Sequence, residues 1–164
     1  GASTVGKSTL CSRFCCNQFE SAHNPTIEDV MQNSIEIGSR LCHFNILDTA
    51  GNDDIAIYHD YSEASMDQWM MSRNCYIFVY DITNRASWQQ VKVLIERSRN
   101  LIGNEENEQC ALWQNVKFGV ICGNKCDLER KREIGKREVQ QFVDANLPNF
   151  KFYECSAKSG VNVD

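Results

Sequence analysis

The chain has 164 residues, 42% of them hydrophobic, which suits one globular domain and shows no linker or internal repeat that would divide it. A formal net charge of −5 opposes a broad nucleic-acid-binding surface, and no apolar run is long enough to span a bilayer. Nine cysteines without a C-x-x-C pair, and His23, His43 and His59 without ligand spacing, argue against zinc or a disulfide framework and for reduced thiols.

The first eight residues, Gly1-Ala2-Ser3-Thr4-Val5-Gly6-Lys7-Ser8, spell G-x-x-x-x-G-K-[ST]. Glycines let a backbone wrap closely around an anion so that successive N–H groups face the phosphates. Lys7 supplies a point charge for β- and γ-phosphates, and the Ser8 hydroxyl is a Mg²⁺ ligand. A helix beginning at Ser8-Thr9 would aim its N-terminal dipole at the same phosphates. Ser3, Thr4, Val5, Gly6, Lys7, Ser8 and Thr9 are therefore candidate phosphate contacts.

In 23–29 the proline of Asn24-Pro25-Thr26 fixes a turn and presents Thr26 as a second hydroxyl for the metal. Residues 34–37 and 41–47 read as a strand pair around Gly38-Ser39. The second strand runs into Asp48-Thr49-Ala50-Gly51, with Asp48 placed to hold the metal through water and the Gly51 amide placed for a γ-phosphate. Segments that both touch the third phosphate respond to its loss, which is the physical basis of a two-state switch. Residues 55–71 carry Tyr58, His59, Tyr61, Trp69, Met70 and Met71, either a partner surface or side chains packed back on the domain.

An apolar strand at 75–80 precedes a helix over 86–102, with Trp88, Val91, Ile95 and Ile102 on one face. The acidic stretch 103–109 reads as a solvated loop. A strand at 116–122 then leads into Gly123-Asn124-Lys125-Cys126-Asp127-Leu128. The Asp127 carboxylate can accept from the ring N–H and the exocyclic amine of guanine, a donor pair that adenine lacks. Lys125 can lay its stem along the ring, Asn124 ties the loop, and Cys126 beside it reads as an ordinary reduced thiol, with an exposed, oxidisable thiol as the alternative. The basic run Arg130-Lys131-Arg132 reads as solvated, and a helix follows over 135–145 with Val139, Phe142 and Val143 inward. Glu154-Cys155-Ser156-Ala157-Lys158 ends a strand whose backbone N–H groups, at Ser156, Ala157 and Lys158, can reach the guanine carbonyl. Alternating strands and helices predict an α/β fold, a mostly parallel sheet with helices on both faces.

With these motifs in this order across the whole chain, the sequence resembles the Ras superfamily of small GTPases, on the Ras-like branch through Pro25-Thr26-Ile27-Glu28-Asp29. The resemblance implies the P-loop NTPase fold of a small G protein, GTP/GDP and Mg²⁺ as ligands, and Phe19 against the base. It implies a monomer that recruits effectors through 23–29 and 52–71, with an exchange factor and a GTPase-activating protein, in the cytoplasm or at the inner face of the plasma membrane. Membrane attachment would run through a C-terminal tail outside this sequence. It also implies a fragment, since the family places a strand before the phosphate loop and a helix after the Ser-Ala-Lys motif, and such a fragment is expected to fold poorly alone.

Two departures bear on the reaction. Asn52 stands where the family usually has the water-orienting glutamine, and its carboxamide is retracted by one bond, about 1.5 Å. Ser3 and Thr4 stand where Ras proteins usually carry glycine. Lys7, Thr26 and Asn52 are the candidate catalytic residues, Ser8, Thr26 and Asp48 the metal ligands, and slow hydrolysis the expectation. The alternative is an interaction module that remains GTP-bound without hydrolysing. An ATP-dependent enzyme on the same loop is at odds with Asp127.

Overall fold

The computed structural model describes residues 1–19, 28–51, 68, 73–102 and 118–163. Helix α1 (Lys7–Cys16) follows Gly6 directly and ends at Asn17, which takes the left-handed conformation at φ 53°. Asparagine adopts this conformation more readily than other non-glycine residues, and the Gln18 N–H turns back to the Ser12 carbonyl at 3.4 Å. None of the residues of α1 is fully buried, so the phosphate loop rather than an apolar stripe fixes where it begins.

Strands β1 (Glu28–Ile37) and β2 (Arg40–Thr49) form an antiparallel hairpin closed by Gly38-Ser39, with Gly38 at φ 65° as a tight hairpin turn requires. Pairing extends from Ile37 opposite Arg40 to Glu28 opposite Thr49, well beyond the predicted 34–37 and 41–47. Glu28 and Asp29, expected in the loop 23–29, are thus strand residues. The hairpin grips α1 through an Asn33 Nδ2–H bond to the Phe14 carbonyl (2.8 Å) and an edge-on stack of Phe14 with Phe44, 5.9 Å between centroids.

Strands β3 (Cys75–Asp81), β4 (Phe118–Asn124) and β5 (Phe150–Glu154) form a parallel sheet in that order. Helix α2 (Arg85–Ile102) joins β3 to β4. Its start is capped by Asn84, whose Oδ1 accepts from the N–H groups of Ala86 (3.0 Å) and Ser87 (3.3 Å). A 3₁₀ turn (Cys126–Lys131) and helix α3 (Lys136–Asn146) join β4 to β5.

Alternation along the strands divides the core. Phe78, Tyr80 and Ile121 face α2 and α3 and are buried with Trp88, Val91, Leu94, Ile95, Val139 and Val143. Val79 and Cys122 face the other way and pack with Ala2, Val5 and Cys155, backed by Leu10 of α1. The sheet therefore has a helical layer on one face and the phosphate loop with α1 on the other, the α/β architecture expected. Ile102, Val116 and Lys117 of the predicted elements lie outside the residues whose side chains are described. No helix among the described residues is long and apolar enough to cross a membrane.

Candidate nucleotide site

Parallel strands bring Asp81, Asn124 and Glu154 to one edge of the sheet, and the loops that follow carry the site, as in other open α/β sheets. The phosphate loop folds across this edge. Thr4 and Gly6 both have positive φ, 60° and 92°, which winds the segment tightly ahead of α1. Gly6 meets two demands at once, since a Cβ there would also stand 2.5 Å from Asn124 Nδ2. Val5 is buried in the apolar layer, which anchors the loop from below. The Lys7 ammonium donates to the carbonyls of Ala2 (2.7 Å) and Gly1 (3.3 Å), so the cation is held inside the loop. Ser8 and Thr9, both half-buried, open the first turn of α1.

The base side is bound to the phosphate side by two amino-acid side chains. Asn124, buried at the end of β4, donates through Nδ2 to the Val5 carbonyl (2.8 Å) and accepts at Oδ1 from the Ala157 N–H (3.2 Å). Lys125, left-handed at φ 68°, donates to the Thr4 carbonyl (2.9 Å) and pairs with Asp81 Oδ2 (2.7 Å). Asp127 is exposed, and its Oδ1 accepts from the buried Ser156 hydroxyl (2.6 Å). That bond fixes the plane of a carboxylate still open to a ligand. The segment from Cys155 to Lys158 is held in turn, because Cys155 N–H bonds the Gly123 carbonyl and Arg13 donates to the carbonyls of Ala157 and Lys158, each at 2.9 Å.

Asp48 is buried at the end of β2, and Gly51 is packed against the phosphate loop so tightly that a Cβ there would lie 2.5 Å from Ser3 Cα. The Ser8 hydroxyl and Asp48 carboxylate are hard oxygen donors, the type Mg²⁺ selects, so the residues present fit that ion. Among the described residues no group of three or more histidine, cysteine, aspartate and glutamate side chains is gathered as a metal cage. Phe19 is 40% exposed after α1. Thr26, Asn52 and nearly all of 23–27 and 52–71 lie outside the described residues. Cys126 is half-buried and its thiol is raised by burial, which disfavours the reactive thiolate.

Two residues that support the site, Asp81 and Arg13, were not singled out in the sequence, and a third, Arg132, was read differently. Asp81 accepts from the Thr83 N–H and hydroxyl through Oδ1 (2.8 and 2.7 Å) while Oδ2 holds Lys125. Its signal was a carboxylate at the C-terminal end of a parallel strand. Arg13 closes the base loop from α1. Arg132, expected to be solvated with the rest of the basic run 130–132, is instead largely buried, because it pairs with buried Glu154 (2.6 and 2.8 Å) and with Glu129, which holds the C-terminal end of β5 to the 3₁₀ turn.

Over its whole length, residues 1–164, the chain matches the Ras family. The Ras-like protein rasB of Dictyostelium discoideum is 36% identical over 165 residues, covering all of this chain and 74% of that protein. The Ras-like protein rasU of the same organism is 29% identical over 164 residues, covering all of this chain and 68% of that protein.

Proposed function

Because the chain belongs to the Ras family of small GTPases, we propose that it is a Ras-type switch that hydrolyses GTP slowly and dwells in the GTP-bound state. Binding of GTP and GDP with Mg²⁺, and GTP hydrolysis, come with the family. In the proposed assignment Lys7 and the amides of Ser3 to Thr9 hold the phosphates, and Asp127 selects guanine with Lys125, Ser156, Ala157 and Lys158 around it. Ser8, Thr26 and Asp48 would hold Mg²⁺, which withdraws charge from the phosphate oxygens when bound. The Gly51 amide contacts the γ-phosphate, and Asn52 orients the attacking water. Residues 23–29 and 52–71 then engage an effector in the GTP form, with exchange and activating proteins acting on the same segments.

The observation that supports slow hydrolysis is the contact between Ser3 and Gly51. Ser3 Oγ lies 2.8 Å from where a Gly51 Cβ would stand, so the extra side chain occupies space directly beside the residue preceding Asn52. A shortened carboxamide and a crowded approach act in the same direction, and a misplacement of about 1 Å can cost on the order of 10²-fold in rate. Single-turnover hydrolysis by the GTP- and Mg²⁺-loaded protein should run below the order of 10⁻⁴ s⁻¹ known for Ras. Asn52→Gln combined with Ser3→Gly should accelerate it at least about tenfold. A parent protein as fast as Ras would overturn the slow-hydrolysis reading. Turnover undetectable in both parent and double variant would favour the non-hydrolysing module, for which the same two residues are the support.

A further inference from the structure

Cys122 and Cys155 are far apart in sequence and meet in the fold. In the β4–β5 register Cys122 stands opposite Tyr153, and Cys155 follows two residues on, where the strand has just ended. Their sulfurs are 2.8 Å apart. Both side chains belong to the apolar layer with Ala2, Val5 and Val79, and both are buried, at 7% and 1% exposure. The backbone at their level is already fixed, since the Cys155 N–H bonds the Gly123 carbonyl at 2.9 Å. A disulfide needs the sulfurs at about 2.05 Å. The sulfurs already stand within about 1 Å of that length.

The same pair lies directly under the base loop. Cys155 Sγ–H donates to Asn124 Oδ1 at 3.6 Å, so this thiol is the third partner of the carboxamide that also binds Val5 and Ala157. The Cys155 carbonyl accepts from Cys126 N–H at 3.0 Å, inside the base-recognition segment.

We propose that Cys122 and Cys155 are a modification site, a thiol pair that hydrogen peroxide closes to a reversible disulfide between β4 and β5, loosening the grip on the guanine nucleotide. Cys122, the more exposed of the two, attacks the peroxide oxygen, the O–O bond breaks, and a sulfenic acid and one water result. The Cys155 sulfur then attacks the Cys122 sulfur, the S–S bond forms, and the sulfenic oxygen leaves as a second water. Two thiols have lost two electrons and two protons, and the peroxide has become two waters. The Cys122 hydrogen bond and burial push the Cys155 thiol up, which disfavours Cys155 as the thiolate that meets the peroxide. Oxidation deletes the proton that Cys155 donates to Asn124 and ties its sulfur to β4, so one of the three hydrogen bonds that orient the Asn124 carboxamide, whose amide nitrogen holds the phosphate loop at Val5, is lost. The nucleotide consequence rests on the proposed function. The disulfide itself does not.

The test uses the full protein loaded with fluorescent GDP, its exposed thiols first capped with iodoacetamide, before and after hydrogen peroxide. Trypsin separates Cys122 (residues 118–125) from Cys126 (126–130) and from Cys155 (152–158), so mass spectrometry without reduction identifies the linked pair. The expected result is a 118–125 to 152–158 cross-link, removed by dithiothreitol, with GDP release at least threefold faster while it is present. Cys122→Val should abolish both effects and keep the reduced release rate, and Cys155→Ser, which retains a donor for Asn124, serves as the second variant. Linkage of Cys155 to Cys126, oxidation of single thiols without a cross-link, or a cross-link that leaves release unchanged would each overturn the proposal. A protein without guanine affinity would overturn the functional reading instead, and the peptide map would still decide the disulfide.

Discussion

Thr4 shows how a single position can work against the loop that contains it. Its φ of 60° is the left-handed conformation, where a Cβ crowds the following carbonyl at roughly 1–2 kcal/mol, and a β-branched side chain is worse placed than most. The conformation persists because its neighbours hold it. The Thr4 carbonyl takes the Lys125 ammonium, and Gly6 two residues later continues the same winding. Thr4→Gly should relieve the strain, partly offset by the greater freedom of glycine in the unfolded chain, for a net gain of about 1 kcal/mol. In a protein of this size that raises the melting temperature by roughly 2–4 °C. Thermal melts of nucleotide-free Thr4→Gly and Thr4→Ala should separate, with alanine gaining little because it keeps the Cβ. Equal melts for the two variants would show that the loop is not strained at Thr4. Ser3, one residue earlier, stands beside Gly51, and under the proposed function it bears on hydrolysis.

At the level of elements, what joins β4 to β5 is a close approach rather than a long ladder. Gly119 stands opposite Phe150 in the register, and a methyl on Gly119 would fall within the Phe150 ring. Phe150 is buried and stacks on Phe78 at 6.1 Å between centroids, so the ring cannot swing away freely. Gly119→Ala should therefore cost about 1–3 kcal/mol by overpacking. Adding Phe150→Leu should recover part of that loss, and denaturant unfolding of the two single variants and the pair would reveal the coupling as non-additivity. Strictly additive losses would mean that the ring is not what excludes the methyl. The strands and helices with an apolar stripe were legible in the sequence for this kind of reason. Trp88, Val91 and Ile95, or Val139 and Val143, recur at helical spacing because each must face the sheet. The first half of β1 was not legible. Asp29 to Ile37 bury no side chain fully, Val30 and Ile37 are more than half exposed, and the half-buried face at Met31, Asn33 and Ile35 carries a polar residue, so no apolar period-two pattern marks the strand.

Across the molecule, legibility followed contiguity. The proposed phosphate and guanine contacts lie on runs of adjacent residues, 1–8, 48–51, 123–127 and 154–158, so each is a motif readable in the sequence. The partners of Asp81, Arg13 and the Cys122–Cys155 pair come from distant segments, and no run of adjacent residues names them. The thiols also have a collective consequence. Burial raises Cys15, Cys75 and Cys126, and the Cys122 hydrogen bond with burial raises Cys155. Cys11 is pushed up to about 12, by burial first and then by the Asp48 charge. The folded state thus favours neutral thiols, while the unfolded chain releases its thiol protons from about pH 8.5. Above that pH the unfolded state binds fewer protons than the folded one, so stability must fall as pH rises. For Cys11 the loss begins near pH 8.5 and continues to its folded value of about 12, at a slope of up to roughly 1.4 kcal/mol per pH unit. Melting temperatures measured under reducing conditions from pH 7 to 10.5 should stay level and then decline above about pH 8.5. Cys11→Ala should lower the plateau by opening a small cavity, yet flatten the decline. A variant whose melting temperature fell as steeply as the parent's would show that Cys11 ionises as readily folded as unfolded.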